Sequence, residues 1–394
     1  MTPLERRASA SLASIFALRM LGLFLVLPVF ALEARKYPGG EDPVLLGMAM
    51  GIYGLTQGLL QLPFGMASDR LGRKRVIVVG LLIFALGSFW AAAATDLYQL
   101  LLGRSLQGAG AVSAAVTAML ADLTRDEVRT KAMALVGASI GLMFALSLVL
   151  SPALGAVVGL TGLFLITGVL ALLGVVVVVW GAPAAPAIAA DARRGRLPDV
   201  LRDPGLMRMN FGVFVLHAVQ LAMWVAVPGL LVQAGLDKDA HWQVYLPAVL
   251  GSFVVMGGMF AMERRGQLKR VFLAAILLIA LVQLGLLLQS SGSPSLPWLA
   301  TLLFLFFCGF NVLEASQPSL VSRLAPAQVR GAAMGVFNTL QSLGFFAGGW
   351  AGGSLVKAWG SPMLFLCCAA AMLLWWLAAL PMQAPGRHEP AKPA

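Results

Sequence analysis

The chain has 394 residues, of which 59% are hydrophobic and 11% charged, and its formal net charge at pH 7 is +11. Soluble domains carry about 25% charged residues, so this composition excludes an ordinary soluble protein and predicts an integral membrane protein. The cations fall in short turns between apolar runs, which argues against nucleic acid as a partner. Cys308, Cys367 and Cys368 lie inside apolar runs and suggest neither disulfides nor a metal site.

Apolar runs divide the first half of the chain into six predicted membrane helices. The first four cover approximately residues 11–32, 44–67, 76–95 and 97–120. A stretch of 59 residues from 132 to 190 then carries no charge. Because one crossing needs about 20 residues, this stretch must turn back, and the turn is expected at Gly159-Leu-Thr-Gly162.

The second half repeats the first in outline. Residues 182–206 hold no run long enough to span and are predicted to be a cytoplasmic linker. Six further helices are expected near residues 209–233, 244–262, 271–288, 296–322, 329–356 and 362–381. The predicted fold is therefore all-α, a polytopic membrane protein of twelve transmembrane helices in two pseudo-symmetric six-helix bundles. The bundles are residues 1–181 and 207–382, and residues 383–394 form a cytoplasmic tail.

The turn between predicted helices 2 and 3 carries the most distinctive motif. It reads Gly65-Met-Ala-Ser-Asp69-Arg70-Leu-Gly72-Arg73-Lys74-Arg75, with five charges between two uncharged runs. This motif resembles the signature loop of the major facilitator superfamily. Residues 19–28, Arg-Met-Leu-Gly-Leu-Phe-Leu-Val-Leu-Pro, and residues 103–108, Gly-Arg-Ser-Leu-Gln-Gly, support the likeness. Together they resemble the twelve-helix drug:proton antiporters, most closely the YajR-like branch, over residues 3–382.

The resemblance implies a transporter driven by a proton gradient, with no cofactor, that works as a monomer in membrane lipid. YajR-like proteins carry a soluble C-terminal domain, which is expected to be missing here. Antiporters of the family have a Gly-Pro element in helix 5, where this chain has Ser151-Pro152, so symport stays open beside antiport. No Gly-rich phosphate loop ending in Lys-Ser or Lys-Thr occurs, so an ATP-driven pump is not expected.

An enzyme is the remote alternative. Residues 137–141, Gly-Ala-Ser-Ile-Gly, match the nucleophile elbow of serine hydrolases. That elbow needs a strand-to-helix turn, whereas this stretch lies in the middle of predicted helix 5. Helix packing through small residues is the favoured interpretation.

The distribution of Lys and Arg predicts the orientation in the cell's inner membrane. If both termini are cytoplasmic, 22 of the 28 Lys and Arg residues lie in cytoplasmic segments. Two lie within helices, and four lie outside: Arg35, Lys36, Lys238 and Lys357. Because positive residues concentrate in cytoplasmic loops, cytoplasmic termini are expected.

Ionisable residues inside membrane helices are costly and are therefore candidates for function. Glu314 lies nine residues before Arg323, and His217 lies nine residues after Arg208. At about 1.5 Å per residue, both lie roughly 13 Å from the inner ends of their helices and should meet in one cavity. Our hypothesis is that Glu314 carries the proton and that His217 is its tuning partner or a second proton site, because imidazole is the side chain suited to proton exchange near neutral pH. The alternative is that both only hold helices together.

Two arginines also fall inside predicted helices. Arg104 and Gln107 match the family's helix 4 motif, which the resemblance associates with proton coupling; alternatively, Arg104 snorkels to the outer surface. Arg19 would attract anionic substrates or hold Glu314 charged. The expected substrate cavity combines charge, amides and aromatic rings: Arg19, Gln57, Gln61, Trp224, Phe310, Asn311 and Gln317. These side chains suit small amphipathic substrates, which predicts a proton-coupled exporter, with a sugar, metabolite or lysolipid carrier as the alternative.

The signature turn is interpreted as a conformational latch. Asp69 could lie against the positive N-terminal end of helix 11, near Gln328, while Arg73 pairs with Asp122. Such contacts form only when the cytoplasmic ends of the two halves close, so they would favour an outward-open state. A merely solvated turn would explain Arg70 and the other cations, but it would not explain the acid or the two glycines, Gly65 and Gly72.

Overall fold

A computed structural model of the chain describes residues 1–183, 197–326 and 329–382, and all regular structure within these ranges is helical. The first half contains α1 (Pro3–Glu33), α2 (Pro43–Leu71), α3 (Arg73–Ala92), α4 (Leu97–Ala109), α5 (Ser113–Asp122) and α6 (Asp126–Val176). A short helix, α7 (Leu197–Leu201), follows within the predicted linker. The second half contains α8 (Pro204–Gln233), α9 (Trp242–Met262), α10 (Leu268–Ser290), α11 (Leu296–Leu324) and α12 (Arg330–Ala379).

These helices make twelve membrane crossings. With 51 and 50 residues, α6 and α12 are each too long for one crossing of about 20 residues. Each turns back at a glycine in the left-handed region, Gly159 with φ 64° and Gly360 with φ 80°, a backbone conformation that glycine adopts most easily. Eight helices in the described ranges, these two included, have the length and hydropathy of membrane spans. The predicted all-α, twelve-helix fold is confirmed.

The prediction of a single unbroken helix 4 was wrong, because α4 and α5 share that crossing. The helix stops at Gly110, where a Cβ atom would run into the backbone carbonyl of Gly80 and the Phe84 side chain on α3. The close approach of α3 therefore needs a glycine here, and the chain continues as α5 from Ser113.

The two halves pack through α2 and α12 near one face of the bundle. A Cβ on Gly51 of α2 would lie 2.9 Å from the backbone of Phe346, and one on Gly47 would run into the carbonyl oxygen of Gly349. Small residues allow this approach of two membrane helices. Nearer the start of α12, by contrast, a Cβ on Gly331 or Gly335 would meet no atom within 4 Å. The halves therefore touch towards one face and separate towards the other.

We call the face where α1 begins the terminal face, because an even number of crossings also returns the end of α12 to it. On the opposite face, two ion pairs join the halves. Lys238 Nζ lies 2.6 Å from Glu33 Oε1, and Lys357 Nζ lies 2.8 Å from Asp42 Oδ2. The hydrogen bond from Lys357 lowers the pKa of Asp42, and the bond to Glu33 raises the pKa of Lys238. Among the described residues, the ion pairs between the halves thus lie at this face, while the α12 glycines near the terminal face adjoin open space, which we call the cleft.

An aromatic cluster ends the cleft near mid-depth. Phe24 and Phe144 come from the first half, with ring centroids 5.1 Å apart. Phe144 also lies 6.1 Å from Phe307 and 6.4 Å from Phe310 of the second half. Edge-to-face and tilted rings of this kind pack closely and exclude water. The cluster therefore packs α1 and α6 of the first half against α11 of the second.

Candidate functional site

The structure brings Glu314 of α11 and His217 of α8 together at mid-depth. His217 Nε2 lies 3.1 Å from Glu314 Oε2. The other ring nitrogen, Nδ1, lies 2.8 Å from the carbonyl oxygen of Val213. Because a carbonyl only accepts, Nδ1 carries a hydrogen and Nε2 is left to face the carboxyl group. The His217 side chain is 2% exposed and that of Glu314 is 39% exposed, so the acid is the accessible member of the pair.

A third side chain completes this group and was missed by the sequence analysis. Gln341 Nε2 lies 2.8 Å from His217 Nε2 and 3.2 Å from Glu314 Oε1. Phe345 and Phe310 pack edge-to-face against the imidazole at 4.9 and 5.9 Å. The available signal was a polar pair, Gln341-Ser342, inside an apolar run, but sequence alone did not show which way it points.

Arg19 is the centre of a second polar group, in the first half. Its Nη1 donates to Ser113 Oγ at 2.8 Å, and its Nη2 donates to Tyr53 Oη at 2.5 Å and to Gln57 Oε1 at 2.8 Å. Arg19 is 1% exposed, and its Nε–H has no acceptor among the described residues. All three acceptors are neutral oxygens, so this group places a guanidinium without a carboxylate partner near the contact between the halves.

A hydrogen bond crosses between the halves from this group. Gln57 Nε2 donates to Ser342 Oγ of α12 at 3.0 Å. Ser342 is the neighbour of Gln341 in the chain, so the polar group around Arg19 and the acid–imidazole pair contact adjacent residues of α12. The predicted cavity residues Arg19 and Gln57 therefore lie at the contact between the halves.

Arg104 does not snorkel to the surface, and that alternative was wrong. The side chain is 1% exposed, with Nη1 2.9 Å from Gln107 Oε1 and Nη2 3.3 Å from the carbonyl of Met50. It is held inside because the Tyr53 ring lies 5.2 Å from its guanidinium carbon. Within the described ranges, no carboxylate lies in ion-pair distance of Arg104. The structure therefore does not bring it to the Glu314–His217 pair.

The remaining predicted cavity residues take different places. Gln61 and Gln317 are buried, and neither amide has a hydrogen-bond partner in the described part of the chain. Asn311 Nδ2 donates to Ser252 Oγ at 2.8 Å and so ties α11 to α9. Trp224 does not line the open cleft as expected, because its ring packs against Tyr245 with centroids 5.4 Å apart.

The signature turn is organised around Arg73. Its Nε lies 2.9 Å from Asp122 Oδ2, and its Nη1 contacts Asp69 Oδ1 at 2.5 Å. The pairing with Asp122 was predicted, but the expectation that it forms only when the two halves close was wrong, because both residues belong to the first half. Gly72 joins α2 to α3 at φ 95°, a backbone conformation that strongly favours glycine. Because Gly65 has no side chain, α2 can lie close to Ala114 of α5 at this position. The Arg70 side chain is exposed. The predicted contact of Asp69 near Gln328 lies outside the described residues.

Ser139, the centre of the possible nucleophile elbow, lies inside α6. Its Oγ donates to the carbonyls of Val136 at 2.7 Å and of Ala13 at 3.3 Å. A hydroxyl that donates along its own helix and to a neighbouring helix serves packing. The elbow's strand-to-helix turn is not formed here.

Two six-helix halves that pack through glycines, with buried charges between them and a cleft open to one face, define a membrane carrier of the secondary transporter class. The family model described as Major Facilitator Superfamily matches residues 12–349 and 262–394. The chain belongs to this superfamily, whose members are transporters and not enzymes.

Among its relatives, the inner membrane transport protein YajR of Escherichia coli (strain K12) is 41% identical over 90% of this chain and 78% of its own. The multidrug resistance protein MdtH of Cronobacter sakazakii is 27% identical over 84% of this chain and 83% of its own. A crystal structure of a bacterial homologue of the human lysosomal transporter Spinster, inward-facing and occupied, superposes with a TM-score of 0.75. That structure is 13% identical and covers 96% of this chain and 97% of its own, so it supports the fold alone.

Proposed function

We propose that the protein is a proton-coupled secondary transporter that exports small amphipathic compounds by alternating access. The observation that carries the proposal is the Glu314–His217 pair, an acid and an imidazole in contact at mid-depth, of which the acid is the accessible one. We infer that both termini are cytoplasmic, from the bias of Lys and Arg, so the terminal face is cytoplasmic and the described state is inward-open.

The pair offers a defined place for one proton. Because His217 Nδ1 is committed to Val213, a proton taken from the cleft goes to Glu314 or to His217 Nε2. In either position the proton lies between His217 Nε2 and Glu314 Oε2, which are 3.1 Å apart. Without the proton, the lone pairs of these two atoms face each other; with it, the two atoms are joined by a hydrogen bond. A cleft that opens to each side in turn would load and release this proton.

The side chains beside the cleft support an amphipathic substrate. Phe310 offers an aromatic face, while the Arg19 Nε–H and the amides of Gln61 and Gln317 lack partners among the described residues. Buried polar groups are normally hydrogen-bonded, so a substrate or water would satisfy them. The name of the MdtH relative, a multidrug resistance protein, agrees with export. The unpaired amides also fit a polar substrate, which keeps a sugar, metabolite or lysolipid carrier as the second candidate.

We further propose that the turn from Gly65 to Arg75 is a latch for the outward-open state. Arg73 links Asp69 to Asp122 and so fixes the turn against the end of α5. An acid held in a fixed position could contact the positive start of α12 when the cytoplasmic ends close. Gly65 leaves room for helices to approach at that moment.

The proposal is tested by comparing wild type with Glu314→Gln in proteoliposomes with an imposed pH gradient. Glu314→Gln keeps the shape and one hydrogen-bonding oxygen but cannot titrate. We expect wild type to move amphipathic dyes such as ethidium in response to the gradient, with proton flux measured by entrapped pyranine. Glu314→Gln should bind dye but lose at least tenfold of gradient-driven flux, which is about 1.4 kcal/mol.

Glu41→Gln is the matched control, because Glu41 is an exposed acid on the opposite face. It should couple as wild type does. Coupling retained by Glu314→Gln would contradict the proton assignment. Flux of labelled sugars in place of dyes, abolished by an uncoupler, would favour the second candidate function.

A further inference from the structure

Gln341 and Ser342 are neighbours on α12 that contact different halves of the molecule. Gln341 contacts the Glu314–His217 pair, and Ser342 accepts a hydrogen bond from Gln57 of the other half. We propose that these two residues transmit the protonation state of the pair to the interface between the halves. Gln341 and Ser342 are then positioning residues, and the proposal rests on the proton role of Glu314 proposed above.

The geometry makes the Gln341 amide sensitive to a proton. Its Nε2 can donate one hydrogen to His217 Nε2 and the other to Glu314 Oε1, at 2.8 and 3.2 Å. This arrangement requires Nε2 of His217 to be an acceptor. Nε2 has one lone pair, and a proton between Nε2 and Glu314 Oε2 occupies it, whether that proton is bonded to the nitrogen or to the carboxyl oxygen. The amide can then no longer donate to Nε2 and must turn over. Turning over moves the amide NH₂ group away from the imidazole and breaks or rebuilds its bond to Glu314.

The position of α12 allows this change to reach the other half. On one side, α12 lies on the backbone of α8, since a Cβ on Gly344 would lie 2.5 Å from the carbonyl oxygen of Phe214. On the other side, the backbone of Ser342 lies directly against Gly54 of α2. Close-packed interiors are not continuously deformable, so a shift of α12 on α8 changes its fit to α2. The bond from Gln57 to Ser342 is the polar contact that such a shift stretches first.

The positive charge of Arg19 strengthens the hydrogen bond between the halves. Gln57 accepts from Arg19 through Oε1 and donates to Ser342 through Nε2, so its amide is polarised by the cation in the direction that strengthens donation. Losing Ser342 as an acceptor would leave a half-buried donor without its partner. The contact is therefore worth more than a neutral surface hydrogen bond.

Among the residues that the structure describes, the other charged groups do not account for a pH response between pH 5 and 8. Around the pair, α9 carries no charged residue. The remaining charges of α8, α10, α11 and α12 lie near helix ends or near the Gly360 turn: Arg208, Lys269, Arg270, Arg323, Arg330 and Lys357. From the first half, Arg19 is the charge linked to the pair, while α2 and α6 carry charges near their terminal-face ends. Burial lowers the pKa of His241, on the opposite face, to about 4, and the pKa of Asp42 is also lowered. Both groups keep one charge state throughout this range.

The test separates proton binding from conformational response. Spin labels at Arg75→Cys and Arg265→Cys, in a chain whose three cysteines are alanine, report the opening of the terminal face by electron–electron distance measurement in nanodiscs. Infrared difference spectra report protonation of the Glu314 carboxyl. In wild type we expect the ratio of the two states to change about tenfold between pH 8 and pH 5, the change that corresponds to one pKa unit between conformations.

Gln341→Leu and Ser342→Ala should leave the carboxyl titrating and reduce that response to about twofold or less. Ser354→Ala is the matched control, because Ser354 lies on the same helix and donates along it to Trp350. It should respond as wild type does. Gln57→Leu combined with Ser342→Ala should be no worse than Gln57→Leu alone, since both changes remove the Gln57–Ser342 contact and only Gln57→Leu also removes an acceptor of Arg19.

The outcomes distinguish this proposal from the proton assignment itself. A wild-type pH response in Gln341→Leu and Ser342→Ala, with none in Glu314→Gln, overturns the transmitting role and leaves the proton site intact. A response retained in Glu314→Gln shows that the proton site is elsewhere. Loss of the carboxyl titration in Gln341→Leu would show that Gln341 only maintains the pair, which also overturns the proposal.

Discussion

Replacing Lys238 by Gln should favour the outward-open state about fivefold. The Lys238–Glu33 pair joins the two halves at the opposite face, at 2.6 Å, with the two side chains 39% and 7% exposed. Exposed pairs contribute about 0.2–1 kcal/mol, whereas breaking a fully buried pair costs about 3–5 kcal/mol. Glu33 keeps a second partner, Lys36, also at 2.6 Å, so no buried charge is left unpaired. The stabilisation lost in Lys238→Gln is therefore close to that of an exposed pair, about 1 kcal/mol, which changes the ratio of the two states about fivefold.

Lys36→Gln supplies the matched control, because Lys36 contacts the same acid from the same half. It removes the same charge without removing a contact between halves, so the population should change little. Spin labels at Tyr98→Cys and Trp298→Cys, exposed on the opposite face in different halves, would measure the opening. High salt should diminish the effect, since the Debye length falls to about 3 Å at 1 M.

The pH dependence gives a further check on this pair. The hydrogen bond to Glu33 raises the pKa of Lys238 above its ordinary 10.5. The stabilisation from this cation is therefore complete below about pH 10.5 and is lost as the pH rises through the raised pKa. Equal shifts for Lys238→Gln and Lys36→Gln would refute the idea that the contact between halves is what matters.

Two more predictions concern the same equilibrium. Asp69→Asn should shift the population towards the inward-open state, because it removes the charge proposed to face the start of α12. Unchanged labelling of cysteines placed in the cleft at the terminal face would count against the latch. Gly349→Ala should destabilise the inward-open state, because the new methyl group pushes α2 away from α12. Gly335→Ala should be tolerated in that state, because a Cβ at this position has no atom within 4 Å. Thermal unfolding of the two variants, and the cleft distances above, would distinguish them, and equal behaviour would refute this packing argument.

Much of the fold could be predicted because membrane helices are specified locally. Apolar runs of crossing length, and the glycines that end them, depend on near neighbours in the chain, so the turns at Gly159 and Gly360 fall where the pattern breaks. The break between α4 and α5 could not be predicted in this way. It depends on how closely α3 approaches Gly110, which is a property of packing.

The candidate site was also predictable only in part. Glu314 and His217 were expected to meet because helix rise converts spacing from the helix ends into depth, and they lie 3.1 Å apart. Depth does not give direction around the helix axis, however. That is why Trp224 was placed in the cleft although it packs against Tyr245, and why Gln341 was missed.

By itself, the sequence determined the class of protein, the number of crossings and the depth of its buried charges, since a bilayer imposes length and polarity on each segment separately. Only the tertiary structure decided which charges have partners. Arg104 is held by Gln107 and Met50, while Gln341 joins the acid–imidazole pair beside Ser342 at the contact with the other half. Those partnerships depend on the rotation and approach of separate helices, which no local pattern of residues encodes.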